Sequence, residues 1–156
     1  MVPMVARNLQ DVEMHIFLMG YRGSGKSTVA GLLAQIMNWE FVDTDDWIET
    51  TANQTIREIF CSIGEAGFRN LEHDAIVHVA NLEHPTIVAL GGGAVLRESN
   101  RQLIRDTGLS VWLKATPERL YDRIHNDSTS CDRRPRLTDE SGFTEVVRVM
   151  EERTPI

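Results

Sequence analysis

The sequence predicts an α/β fold: a parallel β-sheet with helices on both faces. Short apolar runs alternate with segments of helical period along the whole chain, the pattern of βαβ units. The strand segments read as nearly continuous apolar runs, as strands covered on both faces do. The chain has 156 residues, one domain of ordinary size. A chain of this length buries roughly 68–70% of its unfolded surface, so its core needs neither disulfide nor metal.

Taken in order, His15-Ile16-Phe17-Leu18-Met19 is the first strand, ended by Gly20. Ser27 to Met37 follows helical spacing, with Val29, Leu32, Leu33 and Ile36 expected as its inward stripe. Trp39 to Asp43 forms the second strand. A helix opens at Asp46 and runs to about Thr50; another covers Thr55 to Phe60, with Thr55 and Glu58 spaced as a capping box. Gly67 to Leu82 forms a long helix stopped before Pro85. Thr86 to Leu90 is the third strand, followed at once by Gly91-Gly92-Gly93. A helix over Ser99–Asp106 leads to the fourth strand, Leu109–Leu113. Thr116 as N-cap and Pro117 at the first helical position start a helix that reaches about His125. Residues 126–141 lack periodicity and read as a loop, and Phe143–Glu152 is the last helix. Residues 1–13 are a loose lead-in, and 14–156 form a single domain.

Composition narrows the function classes. With 42% apolar and 25% charged residues and a mean hydropathy of -0.23, the chain is globular rather than disordered. A net charge of -7 argues against a nucleic-acid partner, which needs a basic face. The N-terminus lacks the apolar core of a signal peptide, and no run of 18 apolar residues occurs to span a membrane. A cytoplasmic protein is expected. The two cysteines form no CxxC pair; Cys61 reads as a buried thiol and Cys131 as a loop thiol. The histidines show no ligand spacing, and the three tryptophans read as packing residues.

Chemistry concentrates first at Gly20-Tyr21-Arg22-Gly23-Ser24-Gly25-Lys26-Ser27, which satisfies G-x-x-x-x-G-K-[ST] between a strand and a helix. Glycines let the backbone N–H groups wrap a polyphosphate, and the following helix turns its positive end toward the same anion. Lys26 reaches the β- and γ-phosphates and the Ser27 hydroxyl binds Mg²⁺ in such a loop. The chain holds only one other lysine, Lys114.

Three further constellations each allow two readings. Asp43-Thr44-Asp45-Asp46 is either an acidic helix start or a pair of carboxylates aimed into the crevice beyond the strand ends. In the second case one holds Mg²⁺ through water and the other orients an attacking hydroxyl. Arg69 and Glu72 are either a surface helix pair or a clamp for a substrate carboxylate. Three consecutive glycines after a buried strand suit a turn or a close approach of backbone to a ligand. Arg133-Arg134-Pro135-Arg136 reads as solvated surface or as a mobile arginine that closes over a γ-phosphate.

Together, the order and spacing of these segments resemble the shikimate kinase family. The resemblance covers about Ile16 to Arg153 and rests on GYRGSGKST, FVDTD, IREIFCSIGEAGFRNLE, ALGGGAV, the lid RRP and the terminal ERTP. It implies a P-loop kinase fold and ATP-dependent phosphorylation of the shikimate 3-hydroxyl, in aromatic amino-acid biosynthesis by way of chorismate. By the same resemblance Gly23, Ser24, Gly25, Lys26, Ser27 and Thr28 hold the ATP phosphates, and Ser27 and Asp43 hold Mg²⁺. Asp45 binds the substrate hydroxyls and is the candidate base. Arg69 and Arg153 hold the carboxylate, Gly92 offers backbone N–H, and Phe60, Phe68 and Glu72 line or brace the pocket. Arg134 is the lid arginine on the γ-phosphate. The shikimate-binding segment is about 43–82 and the lid about 126–141. Shikimate and ATP are the expected partners, and the protein is expected to be a monomer.

Departures from the family pattern carry their own expectations. The lid reads Arg134-Pro135-Arg136-Leu137 where relatives usually have R-P-L-L. Asn126 and Asp127 stand where relatives often place an arginine against adenine. Relatives also continue past E-R-x-P into an adenine-side loop, a fifth strand and a final helix. Without them the sheet edge at Leu109–Leu113 is expected to be exposed. The sequence is either a piece of a longer protein or a shortened one, and if shortened it is expected to show reduced stability and a raised ATP KM. The alternative to an active kinase is a related nucleotide- or shikimate-binding protein with impaired turnover.

Overall fold

The computed structural model describes residues 14–126 and 142–153. Strand β1 (His15–Met19) leads through the glycine-rich turn into helix α1 (Lys26–Met37). Then come β2 (Glu40–Asp43), α2 (Thr44–Ala52), α3 (Ile56–Ala80), β3 (Thr86–Ala89), α4 (Glu98–Thr107), β4 (Gly108–Trp112), α5 (Pro117–Asn126) and α6 (Phe143–Arg153). Four strands pair in the order β2-β3-β1-β4, every pair parallel. Ile16 sits beside Ile87 on one side and Leu109 on the other, and Asp43 lies level with Ala89. This register brings the C-terminal ends of β1, β2 and β3 to one edge, where open α/β sheets bind ligands.

Side chains alternate across the sheet. Leu18, Ile87 and Ala89 meet Ala30 and Ala34 of α1 on one face. Phe17, Val88 and Leu90 meet Ile76, Val79 and Ile104 on the other. Strand β3, buried along its length, has a neighbour on each side. Strand β4 ends the sheet among the described residues, and Leu109 and Trp112 are 54% and 43% exposed there, as the sequence predicts for this edge.

Three expectations need correction. Helix α1 turns inward Ala30 and Ala34, while Val29, Leu32 and Ile36 face out. Small residues at i and i+4 let the helix lie close to the sheet, which a stripe of large side chains prevents. Helix α2 begins at Thr44, two residues early, because the Asp43 carboxylate caps it by accepting from Asp45 N and Asp46 N at 2.9 and 3.4 Å. The expected pair of helical segments, Thr55–Phe60 and Gly67–Leu82, is present within α3 as two helical stretches that meet at Gly64, whose φ of 68° and ψ of −175° are not helical. The Thr55–Glu58 capping box is present at its start. Cys61 is exposed, because Ile56 and Ile59 take the inward face of that first stretch. The lead-in 1–13, the lid arginines Arg133, Arg134 and Arg136, and Cys131 lie outside the described residues.

Candidate active site

The phosphate loop is built by backbone that glycine tolerates. Gly23 and Gly25 have φ of 77° and 91°, and Gly25 caps the N-terminus of α1. The Lys26 ammonium folds back over the loop, donating to Gly20 O at 2.9 Å and Tyr21 O at 3.0 Å. It thus lies across the mouth of the cradle. Ser27 and Thr28 are exposed at the start of α1, on the same side as the helix's free N–H groups. Gly23, Ser24, Gly25, Lys26, Ser27 and Thr28 therefore form one contiguous anion cradle.

At the neighbouring strand end, the Ser27 hydroxyl donates to Asp43 Oδ2 at 2.6 Å. A hydroxyl and a carboxylate side by side are hard oxygen donors suited to Mg²⁺, which takes one or two protein ligands plus phosphate oxygens. Among the described residues no cluster of three or more His, Cys, Asp or Glu gathers to form a metal cage.

Burial raises the Asp43 carboxyl above its ordinary value; the Ser27 hydrogen bond works against that rise, and Asp45 and Asp46 add to it. A raised folded-state pKa means a stabilising contribution below the unfolded pKa, lost as pH rises through the folded value. Ionised Asp43 is thus a stability cost at neutral pH. Asp43→Asn keeps a capping oxygen and removes that charge. We expect its melting temperature at pH 7 to equal or exceed the parent's, while Mg²⁺-dependent turnover falls by a factor of about 10² or more. A melting scan and an ADP-release assay on one preparation check both.

Arg69 stands on α3 beyond the Gly64 bend. Its Nη1 donates to Glu72 Oε2 at 2.5 Å, and its Nη2 and Nε reach Glu65 Oε1 at 2.8 and 3.3 Å. The Glu72 side chain is 1% exposed, so the pair is anchored in the interior, whereas Glu65 is 66% exposed. Burial works against the guanidinium charge, but Glu72 and Glu65 outweigh it and the group stays charged. Phe68 is buried and its ring meets that of half-buried Phe60 at 4.6 Å, bracing the helix behind Arg69.

The glycine turn is where the arginines meet. A Cβ on Gly93 would collide with the Arg69 guanidinium, and one on Gly92 would lie 3.4 Å from Arg153 Nη1. Arg153 Nη1 itself donates to Gly92 O at 2.7 Å. Two guanidinium groups thus border Gly92 and Gly93, which explains the run of glycines. Asp45, half-buried in the first turn of α2, stands at the same edge. Arg134 lies outside the described residues.

Sequence reasoning missed Thr44. Its buried hydroxyl donates to Ala89 O at 3.3 Å and accepts from Gly91 N at 2.8 Å, stitching β2 to the glycine turn. A threonine between carboxylates was the available signal. Arg123 was also missed: it donates to Gly23 O at 3.2 Å from the last turn of α5. A cavity of about 390 Å³ opens beside the loop, walled in part by Gly92, Arg153 and Trp112, with Asp45 and Arg69 outside it.

A parallel sheet whose first strand ends in this cradle, with carboxylates and guanidinium groups at the same edge, defines a phosphate-loop kinase of small molecules. Comparison with known proteins makes the class specific. The shikimate kinase family model matches residues 22–156. The shikimate kinase of Rhodopirellula baltica is 50% identical over 142 residues, 91% of this chain and 75% of that protein. That of Symbiobacterium thermophilum is 44% identical over 125 residues, 80% of this chain and 70% of that protein. A solved shikimate kinase from Acinetobacter baumannii in complex with shikimate superposes with a TM-score of 0.82 at 30% identity, over 91% of this chain and 76% of that one. A gluconokinase from Sinorhizobium meliloti, at a TM-score of 0.55 and 17% identity, shares the fold alone. The chain belongs to the shikimate kinase family and is an ATP-dependent phosphotransferase.

Proposed function

We propose that the chain transfers the γ-phosphoryl group of ATP to the 3-hydroxyl of shikimate, with each site residue in the role the family motif assigns. One observation carries this reading: Arg69 and Arg153 border the Gly92–Gly93 backbone at the sheet edge that also holds the phosphate cradle. A cyclic hydroxy acid whose carboxylate lies between those arginines presents its ring hydroxyls toward Asp45. The hydroxyl oxygen bonds to the γ-phosphorus as the bond to the β,γ-bridging oxygen breaks. The proton passes to the Asp45 carboxylate and ADP leaves.

Lys26 and the loop N–H groups hold the β- and γ-phosphates, and Arg134 closes on the γ-phosphate from the lid. Ser27 and Asp43 would hold Mg²⁺, which would offset charge on the phosphate oxygens. Phosphoryl transfer needs little more than positioning and charge neutralisation. Residues 14–156 act as one domain, with a shikimate segment at 43–82 and a lid at 126–141. A cytoplasmic monomer is part of this proposal. Among the described residues no helix is long and apolar enough to cross a membrane.

ADP release with Mg²⁺-ATP, with and without shikimate, tests the assignment, with quinate and gluconate as competing substrates. Turnover should require shikimate, and Asp45→Asn should lower kcat by a factor of about 10²–10⁴, the range for a positioned base. Equal turnover on gluconate, or an Asp45→Asn enzyme of parental rate, would sink the substrate or the base assignment respectively.

A further inference from the structure

The phosphate-loop motif leaves Tyr21 and Arg22 unspecified, yet both are committed in the fold. Tyr21 is 7% exposed and packs among Leu120, Ile124, Val146 and Val149, plugging the seam between α5 and α6. Beside it, Arg22 Nη2 lies 3.7 Å from Glu145 Oε1 of α6, a carboxylate whose side chain is 4% exposed. At the other end of α6, the Arg153 guanidinium lies 6.0 Å from the Tyr21 ring centroid and donates to Gly92 O. The Arg22 amide also borders Gly92. By these contacts Tyr21, Arg22, Glu145 and Arg153 form one cluster under the loop.

Helix α6 packs chiefly against α5 rather than on the sheet. Its orientation relative to the glycine turn is therefore not imposed by the main core. A carboxylate this deeply buried is costly unless a cation faces it, and Arg22 is a cation fixed to the phosphate loop. We propose that Arg22 and Glu145 are positioning residues that hold α6 against the phosphate loop and so aim Arg153 at the substrate carboxylate. The proposal rests on the reading of Arg153 given above. It makes the nucleotide loop and the acid-binding arginine parts of one rigid assembly.

Steady-state kinetics of Arg22→Met, Glu145→Gln and Arg153→Met, alone and combined, test it. Arg22→Met should lower kcat/KM for shikimate about tenfold while the ATP KM changes less than about threefold. In the Arg153→Met background, adding Arg22→Met should change the shikimate kcat/KM by less than about twofold, because residues acting through one another are not additive. General loosening of the fold would instead lower both backgrounds by the same factor. That additive result, or an Arg22→Met enzyme with parental shikimate kcat/KM, would overturn the proposal. The isosteric Glu145→Gln runs the same cycle if Arg22→Met does not fold. An inactive parent chain would refute the kinase reading itself, a distinct outcome from an active parent with additive variants.

Discussion

Replacing Arg69 with methionine is expected to damage binding and folding together. The Glu72 carboxylate is buried, and the guanidinium at 2.5 Å is its cationic partner. Removing one member of a buried pair typically costs several kcal/mol; with Arg69 partly open to solvent, about 3 kcal/mol is the expected loss. For a chain of this size that lowers the melting temperature by about 6–12 °C. Shikimate affinity should fall about 30-fold or more, the cost of withdrawing one charge from a desolvated pair. Melting curves and equilibrium titration with shikimate separate the effects. The double variant Arg69→Met/Glu72→Leu should regain most of the melting temperature and none of the affinity, because it removes the stranded carboxylate but not the need for a cation. If the single variant melts like the parent, the interior anchoring of Arg69 is wrong. If it binds shikimate like the parent, the acid is held elsewhere.

Lys26→Met should have the opposite profile, a large loss of rate with little loss of stability. The ammonium donates to two loop carbonyls; in the role proposed for it, it exchanges those bonds for phosphate oxygens. Losing one preorganised cation at developing charge typically costs about 10²–10³ in kcat. The methionine keeps the apolar stem, so the melting temperature should move by only about 2–4 °C. Shikimate affinity without nucleotide should be unchanged, since Lys26 is assigned to the phosphates alone. A kcat within a few-fold of the parent's would mean that phosphate charge is met elsewhere.

Much of this site was legible because its chemistry is local in the chain. The phosphate loop needs glycines at fixed spacing and a lysine at the helix start, and nothing distant has to be known to read it. Asp43 is marked by its place at the end of an apolar run, and the Thr55–Glu58 box by spacing alone. Arg69 and Glu72 were visible as a pair, but periodicity could not say whether they faced solvent or the interior. That distinction, a few tenths of a kcal/mol for a surface pair against several for a buried one, depends on what packs over the helix.

Local pattern therefore determined the fold class, the phosphate-loop motif and the strand and helix order, and it marked Arg69 and Glu72 as a pair without giving their role. The tertiary structure alone decided which face of α1 meets the sheet, because the close approach of helix to strands selects Ala30 and Ala34 over larger neighbours. It alone placed Arg153 against Gly92, 61 residues away, and Arg22 against Glu145. Such contacts follow from strand order and sheet register, which bring distant loops to one edge. A window of sequence carries the period of an element, but not the position of its neighbours.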